Sequence, residues 1–259
     1  MKNWLLSLIV SYIFFIAACT PNNVQVDAKL AETFKEAGVD GSFCVYDNGT
    51  GQFTIHNLSR YKDSAYLPAS TADILITLVG TEIGKLTNEQ MKMPGDSLTA
   101  INAFTASYVP FYQQLARSIG KDTLKNWIDS LKYGNKAMGI SVDSFWMNNT
   151  LKITADEQLG LVKKLYFGQL PFQKRTHDIV KKMMLQESNA NYTLSYKTGW
   201  GFLPNGRSLG WVVGWIEENK HPYFFVLNLE GDKTLDMLTV RKNLLMNILK
   251  QEGFLEGKR

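Results

Sequence analysis

Metal and redox chemistry have little to work with in this chain. Of its 259 residues, two are cysteine and three are histidine. His56, His177 and His221 lie far apart and share no ligand spacing, which argues against a metal site and against a Ser-His-Asp triad. A hydrolase built on this chain must find its base elsewhere, and no cofactor is implied. Cys44 lies in the apolar run Ser42-Phe43-Cys44-Val45-Tyr46 and reads as a small buried hydrophobe rather than a reactive thiol. Long apolar runs are missing after Ala18, which excludes a polytopic membrane protein. Charge of one sign never accumulates. The net charge of +4 is spread along the sequence and no basic run is interleaved with aromatics, so nucleic acid is not expected as a partner. Internal repeats and low-complexity segments are absent too. What remains is 45% hydrophobic and 20% charged, the balance of one large domain or of a domain with an inserted subdomain.

The N-terminus stands apart from that domain. Lys2 supplies a positive start, and residues 4–18 are almost wholly apolar. The run is short of the ~20 residues that cross a bilayer. It ends in Ile16-Ala17-Ala18-Cys19, followed by the polar Thr20-Pro21-Asn22-Asn23. This resembles the lipobox of a bacterial lipoprotein signal, which implies cleavage before Cys19 and lipid attachment to it. The protein would then be exported and anchored at the periplasmic face of a membrane. An ordinary signal peptide with an incidental cysteine is the alternative. The division expected is a signal at 1–18, a tether at 19–28 and one domain at 29–259.

Within the domain the periodicity changes twice. Residues 28–37 predict a short amphipathic helix stopped at Gly38. Strands at 42–47 and 52–57 flank Asn48-Gly49-Thr50-Gly51, a hairpin signal. Residues 59–68 read as a loop, 71–86 as a helix, and 88–186 as a helical block broken at prolines and glycines. Thr154-Ala155-Asp156-Glu157 has the spacing of a capping box. Strands at 192–196, 209–217 and 223–229 follow, and a helix at 238–251 ends the chain. This order predicts an α+β fold, an α/β/α sandwich whose antiparallel sheet is assembled from both chain ends around an inserted helical subdomain.

One stretch carries candidate chemistry. Leu67-Pro68-Ala69-Ser70 leads into the apolar run that begins at Ile74, so Ser70 is expected at a helix start, where free N–H groups favour a developing anion. Residue 73 comes round to the same helix face. In serine enzymes with an S-x-x-K motif it is a lysine that helps to remove the serine proton. Here it is Asp73. Ser70 could instead be a simple helix cap, and Asp73 a first-turn carboxylate favoured by the dipole.

Three further motifs follow: Ser107-Tyr108-Val109 between helices, Tyr133-Gly134-Asn135 at a helix end, and Lys197-Thr198-Gly199-Trp200-Gly201 at the end of a strand. In this order they resemble the penicillin-recognising serine enzymes. The stretches Trp127-Ile128-Asp129, Phe145-Trp146, Leu170-Pro171-Phe172 and Gly210-Trp211-Val212-Val213-Gly214-Trp215 narrow the resemblance to class D β-lactamases. It implies that Ser70 is the nucleophile and that the Ser70 and Trp200 N–H groups form the oxyanion hole. Ser107 and Lys197 would pass a proton to the leaving nitrogen. Thr198 and Arg241, beside Gly199, would receive the drug carboxylate, and Val109 and Trp146 would enclose the base. In that family the base is a carboxylated lysine. Asp73 stands in its place and Ala72 where phenylalanine is usual, so the resemblance implies acylation with hydrolysis impaired. Ligands would be β-lactams or peptidoglycan-like small molecules. Two further readings remain open, a catalytically silent binding lipoprotein and a D,D-peptidase-like cell-wall enzyme. Arg241 could also serve only to neutralise a nearby acid.

Overall fold

Strands that are apolar on both faces need cover on both faces, and that requirement sets the architecture. The computed structural model describes residues 23–259; the signal segment and Cys19 lie outside them. The first part of the chain forms β1 (Val24–Val26), α1 (Leu30–Glu36), the hairpin β2 (Asp40–Asp47) and β3 (Phe53–His56), α2 (Leu58–Asp63) and β4 (Ala65–Tyr66). A 3-10 turn at Ala69–Ala72 then leads into α3 (Asp73–Glu82). The helical block comprises α4 (Ala100–Ala106), α5 (Val109–Ile119), α6 (Lys121–Ser130), α7 (Ala155–Tyr166), which follows the short β5 (Ile153–Thr154), and α8 (Lys174–Met184). The chain ends with β6 (Leu185–Ser188), β7 (Tyr192–Phe202), β8 (Ser208–Glu218), β9 (His221–Gly231) and α9 (Met237–Gln251).

Seven strands make one sheet in the order β1-β3-β2-β9-β8-β7-β6. β2 from the front of the chain pairs antiparallel with β9 from the back, Phe43 opposite Leu227 and Val45 opposite Phe225. The two chain ends therefore close one sheet around the helical block, as expected from the element order. Alternate residues of β9 point to opposite faces. Phe225 and Leu227 join α1 and α9 in one core with Leu244, Leu245 and Ile248. Phe224 and Val226 enter the other core, with Trp211, Val213 and the helical block. Cys44 is fully buried there, and burial pushes its thiol well above the ordinary range.

Several boundaries differ from the sequence expectation. Within the expected tether at 19–28, Val24–Val26 form β1, which pairs parallel with β3. Within the expected loop at 59–68 lies α2, begun by Asn57, whose side chain accepts from the Arg60 N–H. The expected helix at 71–86 is a 3-10 turn followed by α3, and Gly84 lies beyond its end at φ +74°. β7 does not stop at Tyr196. It runs on through Lys197-Thr198-Gly199 because all three residues pair with β8, opposite Val213, Val212 and Trp211. The capping box at α7 is present in both directions, Thr154 with the Glu157 N–H and Glu157 with the Thr154 N–H.

Candidate active site

Four contacts hold the turn that carries Ser70. The Trp211 indole N–H donates 3.0 Å to the Leu67 carbonyl. The Ala69 N–H donates 3.0 Å to the Trp146 carbonyl. The Thr71 hydroxyl donates 2.7 Å to the Pro68 carbonyl. It accepts in turn from the Gln158 amide at 2.6 Å. Gly199 of β7 lies against the same turn, where a Cβ on residue 199 would sit 3.0 Å from the Pro68 carbonyl oxygen and 3.3 Å from the Thr71 nitrogen. A side chain there would press on the backbone of the turn, so glycine suits this close approach. Ser70 itself is partly exposed, and among the described residues its hydroxyl makes no side-chain hydrogen bond.

Beside this turn, Asp73 at the start of α3 and Lys197 on β7 are both buried, 1% and 2% exposed. Asp73 Oδ2 lies 3.1 Å from Lys197 Nζ, a charge contact off the line of a well-aligned hydrogen bond. Lys197 Nζ also donates 2.6 Å to Ser107 Oγ and 3.0 Å to the Thr198 carbonyl. Three neighbours thus surround the three N–H donors of the ammonium. The Phe104 ring centre lies 5.1 Å from Nζ, a further favourable position for a cation. Ser107, the residue that ends α4, adopts a left-handed conformation at φ +53°, which only firm packing sustains in a residue with a side chain. Because Ser107 accepts from Lys197, its own proton is free to be donated.

Burial dominates the electrostatics. It raises the Asp73 carboxyl to about 6, against the opposing pull of Lys197. It also lowers the Lys197 ammonium, against the opposing pull of Asp73. Burial thus disfavours the charged form of each partner, and the 3.1 Å contact between them offsets that cost.

The other expected residues divide. Arg241 on α9 is buried and gives Nη1 to the Gly199 carbonyl at 2.6 Å, and burial lowers its guanidinium to about 10. Among the described residues it forms no ion pair with an acidic side chain, and its Nε lacks a partner. Thr198 is buried next to Lys197, whereas Trp200 is 44% exposed with its indole N–H on Ser208 Oγ at 2.9 Å. Trp146 is buried and meets the site through its carbonyl. Val109 is half-buried at the start of α5. The sequence reading missed Thr71, Gln158 and Trp211. For Gln158 a signal existed: it lies on the apolar face of α7 with Leu161, Val162 and Leu165, where a polar side chain needs a reason.

The Asp73 pKa has a consequence for stability. The folded value, about 6, exceeds the ordinary value of 3.8, so the folded state holds this proton more tightly. The stabilisation is complete below the unfolded pKa and is lost as pH rises through the folded one. Relative to Asp73→Asn, the wild type should therefore lose on the order of 1–3 kcal/mol between about pH 4 and pH 7. Denaturant unfolding of both proteins across that range checks it; a difference that stays flat or grows with pH contradicts it.

Comparison with known proteins places these features. The penicillin-binding protein transpeptidase domain matches residues 41–250. β-Lactamase OXA-48 of Klebsiella pneumoniae is 33% identical over 85% of this chain and 86% of its own length. The probable β-lactamase YbxI of Bacillus subtilis is also 33% identical, over 86% and 84%. The crystal structure of FUS-1 (OXA-85), a class D β-lactamase from Fusobacterium nucleatum subsp. polymorphum, superposes with a TM-score of 0.82 at 30% identity, covering 90% of this chain and 100% of that one. The C-terminal domain of the Bacillus licheniformis BlaR penicillin-receptor shares the fold, with a TM-score of 0.82 at 24% identity. A sheet closed by both chain ends, a serine turn clamped against β7 and a lysine on that strand shared with Ser107 are thus found in a chain that belongs to the class D β-lactamase family.

Proposed function

We propose that this protein captures β-lactams as an acyl-enzyme on Ser70 and discharges them poorly, because Asp73 occupies the position of the S-x-x-K lysine. The observation that carries this reading is the buried contact between Asp73 and Lys197. A general base must come within about 2.6–3.2 Å of the proton it takes, directly or through one water. The Asp73 carboxylate is engaged instead with an ammonium group. A carboxylate titrating near 6 is also a weaker base than a neutral amine.

The other groups that acylation needs remain in place beside Asp73. Ser70 attacks the lactam carbonyl and, with no positioned base, gives up its hydroxyl proton to water, while the Ser70 and Trp200 N–H groups receive the oxyanion. Ser107, which accepts from Lys197 and keeps its own proton free, passes that proton to the leaving nitrogen. Thr198 and Arg241, beside Gly199, meet the drug carboxylate, and Val109 and Trp146 border the pocket. General acid–base help is worth ~10²–10⁴-fold per step, so losing the base slows both acylation and hydrolysis. A lasting adduct results when hydrolysis suffers more. We also propose that the chain is exported and lipid-anchored through Cys19, on the grounds of the lipobox-like Ile16-Ala17-Ala18-Cys19.

Incubation with excess benzylpenicillin should add one drug mass to the intact protein, while hydrolysis of a chromogenic cephalosporin stays slow. Ser70→Ala should give no adduct. No adduct on the wild type, or one that survives Ser70→Ala, overturns the reading. The anchor is checked by fractionation: the wild type should sediment with membranes and Cys19→Ser should not. Wild-type protein found free in the soluble fraction refutes it.

A further inference from the structure

Gln158 is fully buried on the apolar face of α7. Its buried neighbours on that helix include Leu161, Val162 and Leu165, and methionine is close to glutamine in size and shape without the amide. Burying an amide is costly unless its groups are bonded. Among the described residues Gln158 is bonded on one side only: Nε2 donates 2.6 Å to Thr71 Oγ1, while Oε1 meets no donor. The amide is thus a burden on the core, retained against its cost, and its one bond lands next to Ser70.

The bond's direction is fixed by the hydroxyl it meets. Thr71 has one proton, and it is spent on the Pro68 carbonyl at 2.7 Å. Its oxygen can therefore only accept from Gln158, which makes Nε2 the atom that faces it. Gln158 thus donates to Thr71 and Thr71 to the Pro68 carbonyl, a chain that ends on the backbone just ahead of Ser70. That backbone is strained: Ala69, directly before Ser70, sits at φ +48°, a region where a residue with a Cβ stays only when its surroundings over-determine it. The same Pro68 carbonyl is the atom that a Cβ on residue 199 of β7 would meet first. A shift of this turn therefore changes both the aim of Ser70 and its spacing from the strand that faces it.

We infer that Gln158 is a positioning residue for Ser70, acting through Thr71 to hold the strained turn against β7. The inference rests on Ser70 being the acylated residue, as proposed above. Its distinguishing feature is that stability and reactivity move separately. Removing the amide lifts a burden from the core yet loosens the nucleophile, and a misplacement of about 1 Å can slow a positioned reaction ~10²-fold.

The test follows benzylpenicillin acylation of the full chain by rapid quench and intact mass, with the drug concentration varied to separate the limiting acylation rate from the preceding binding constant. Gln158→Met should melt at or above the wild-type temperature and acylate about tenfold or more slowly, with binding little changed. Thr71→Val should lose as much, and Thr71→Ser should recover the rate that Thr71→Val loses. Since both residues act through one bond, the double variant Gln158→Met/Thr71→Val should be no slower than either single one. If Gln158→Met does not fold, the amide supports the core and the inference is wrong. It is also overturned by acylation of folded Gln158→Met at the wild-type rate, by losses that multiply in the double variant, or by Thr71→Ser behaving like Thr71→Val. A wild type that forms no adduct at all refutes the acylation reading and takes this inference with it.

Discussion

A carboxylate and an ammonium group meet at 3.1 Å with both side chains almost wholly buried, and the rest of the site is arranged around that contact. Each charge alone would be expensive in so dry a place, and removing one partner of such a pair costs about 3–5 kcal/mol. Lys197 therefore needs Asp73, or another anion, to stay charged. Its other two donors go to Ser107 and to the backbone of β7. The contact thus couples the start of α3, the end of α4 and the centre of the sheet. Charge balance is preserved in this arrangement; on our proposal, what is given up is a base free to act on Ser70.

The fold supplies the platform. β7 can approach the serine turn because residue 199 is glycine, and it is held in the sheet by eleven residues paired with β8. β8 in turn adds the Trp211 indole, bonded to the Leu67 carbonyl. The helical block contributes from the other side through the Trp146 carbonyl, Ser107 and Gln158. Acylation chemistry needs the nucleophile, the proton donor and the oxyanion donors held together, and on our proposal they come from separate segments clamped onto one turn. Neither the sheet nor the helical block could form this site alone.

Much of this was legible in the sequence, for identifiable reasons. The hairpin at Asn48–Gly51, the capping box at Thr154 and the three apolar strands of the last third are local signals, and each element is present at its expected place, β7 running on to Phe202. The grouping of Ser107 with Lys197 followed from family resemblance, since ninety residues separate them and no periodicity links them. β1 was hidden because three residues carry no usable pattern, and α2 because its polar sequence gave no apolar stripe. β7 was cut short at Lys197 because buried lysine and paired glycines are not strand signals; tertiary pairing overrode propensity. The Asp73 position was visible, but its partner was not. A sequence shows a carboxylate at residue 73 and an amine at 197, and only the packing of α3 against β7 shows that they neutralise each other.

The central claim is that residue 73 decides whether an acylated Ser70 can be discharged. Replacing Asp73 by lysine places two amines in a buried site, and both cannot remain charged there. A neutral amine can take up carbon dioxide and so restore a long-reaching anionic base. Ala72 is fully buried and is best left unchanged, since a larger side chain there would overpack the core. The direct measurement is the decay of the benzylpenicillin adduct, followed by intact mass after free drug is removed, for wild type and Asp73→Lys with and without added bicarbonate. The account predicts a persistent adduct on the wild type and a faster, bicarbonate-accelerated decay in folded Asp73→Lys. A wild-type adduct that decays as fast as the variant's, or a folded variant that gains nothing with or without bicarbonate, contradicts it.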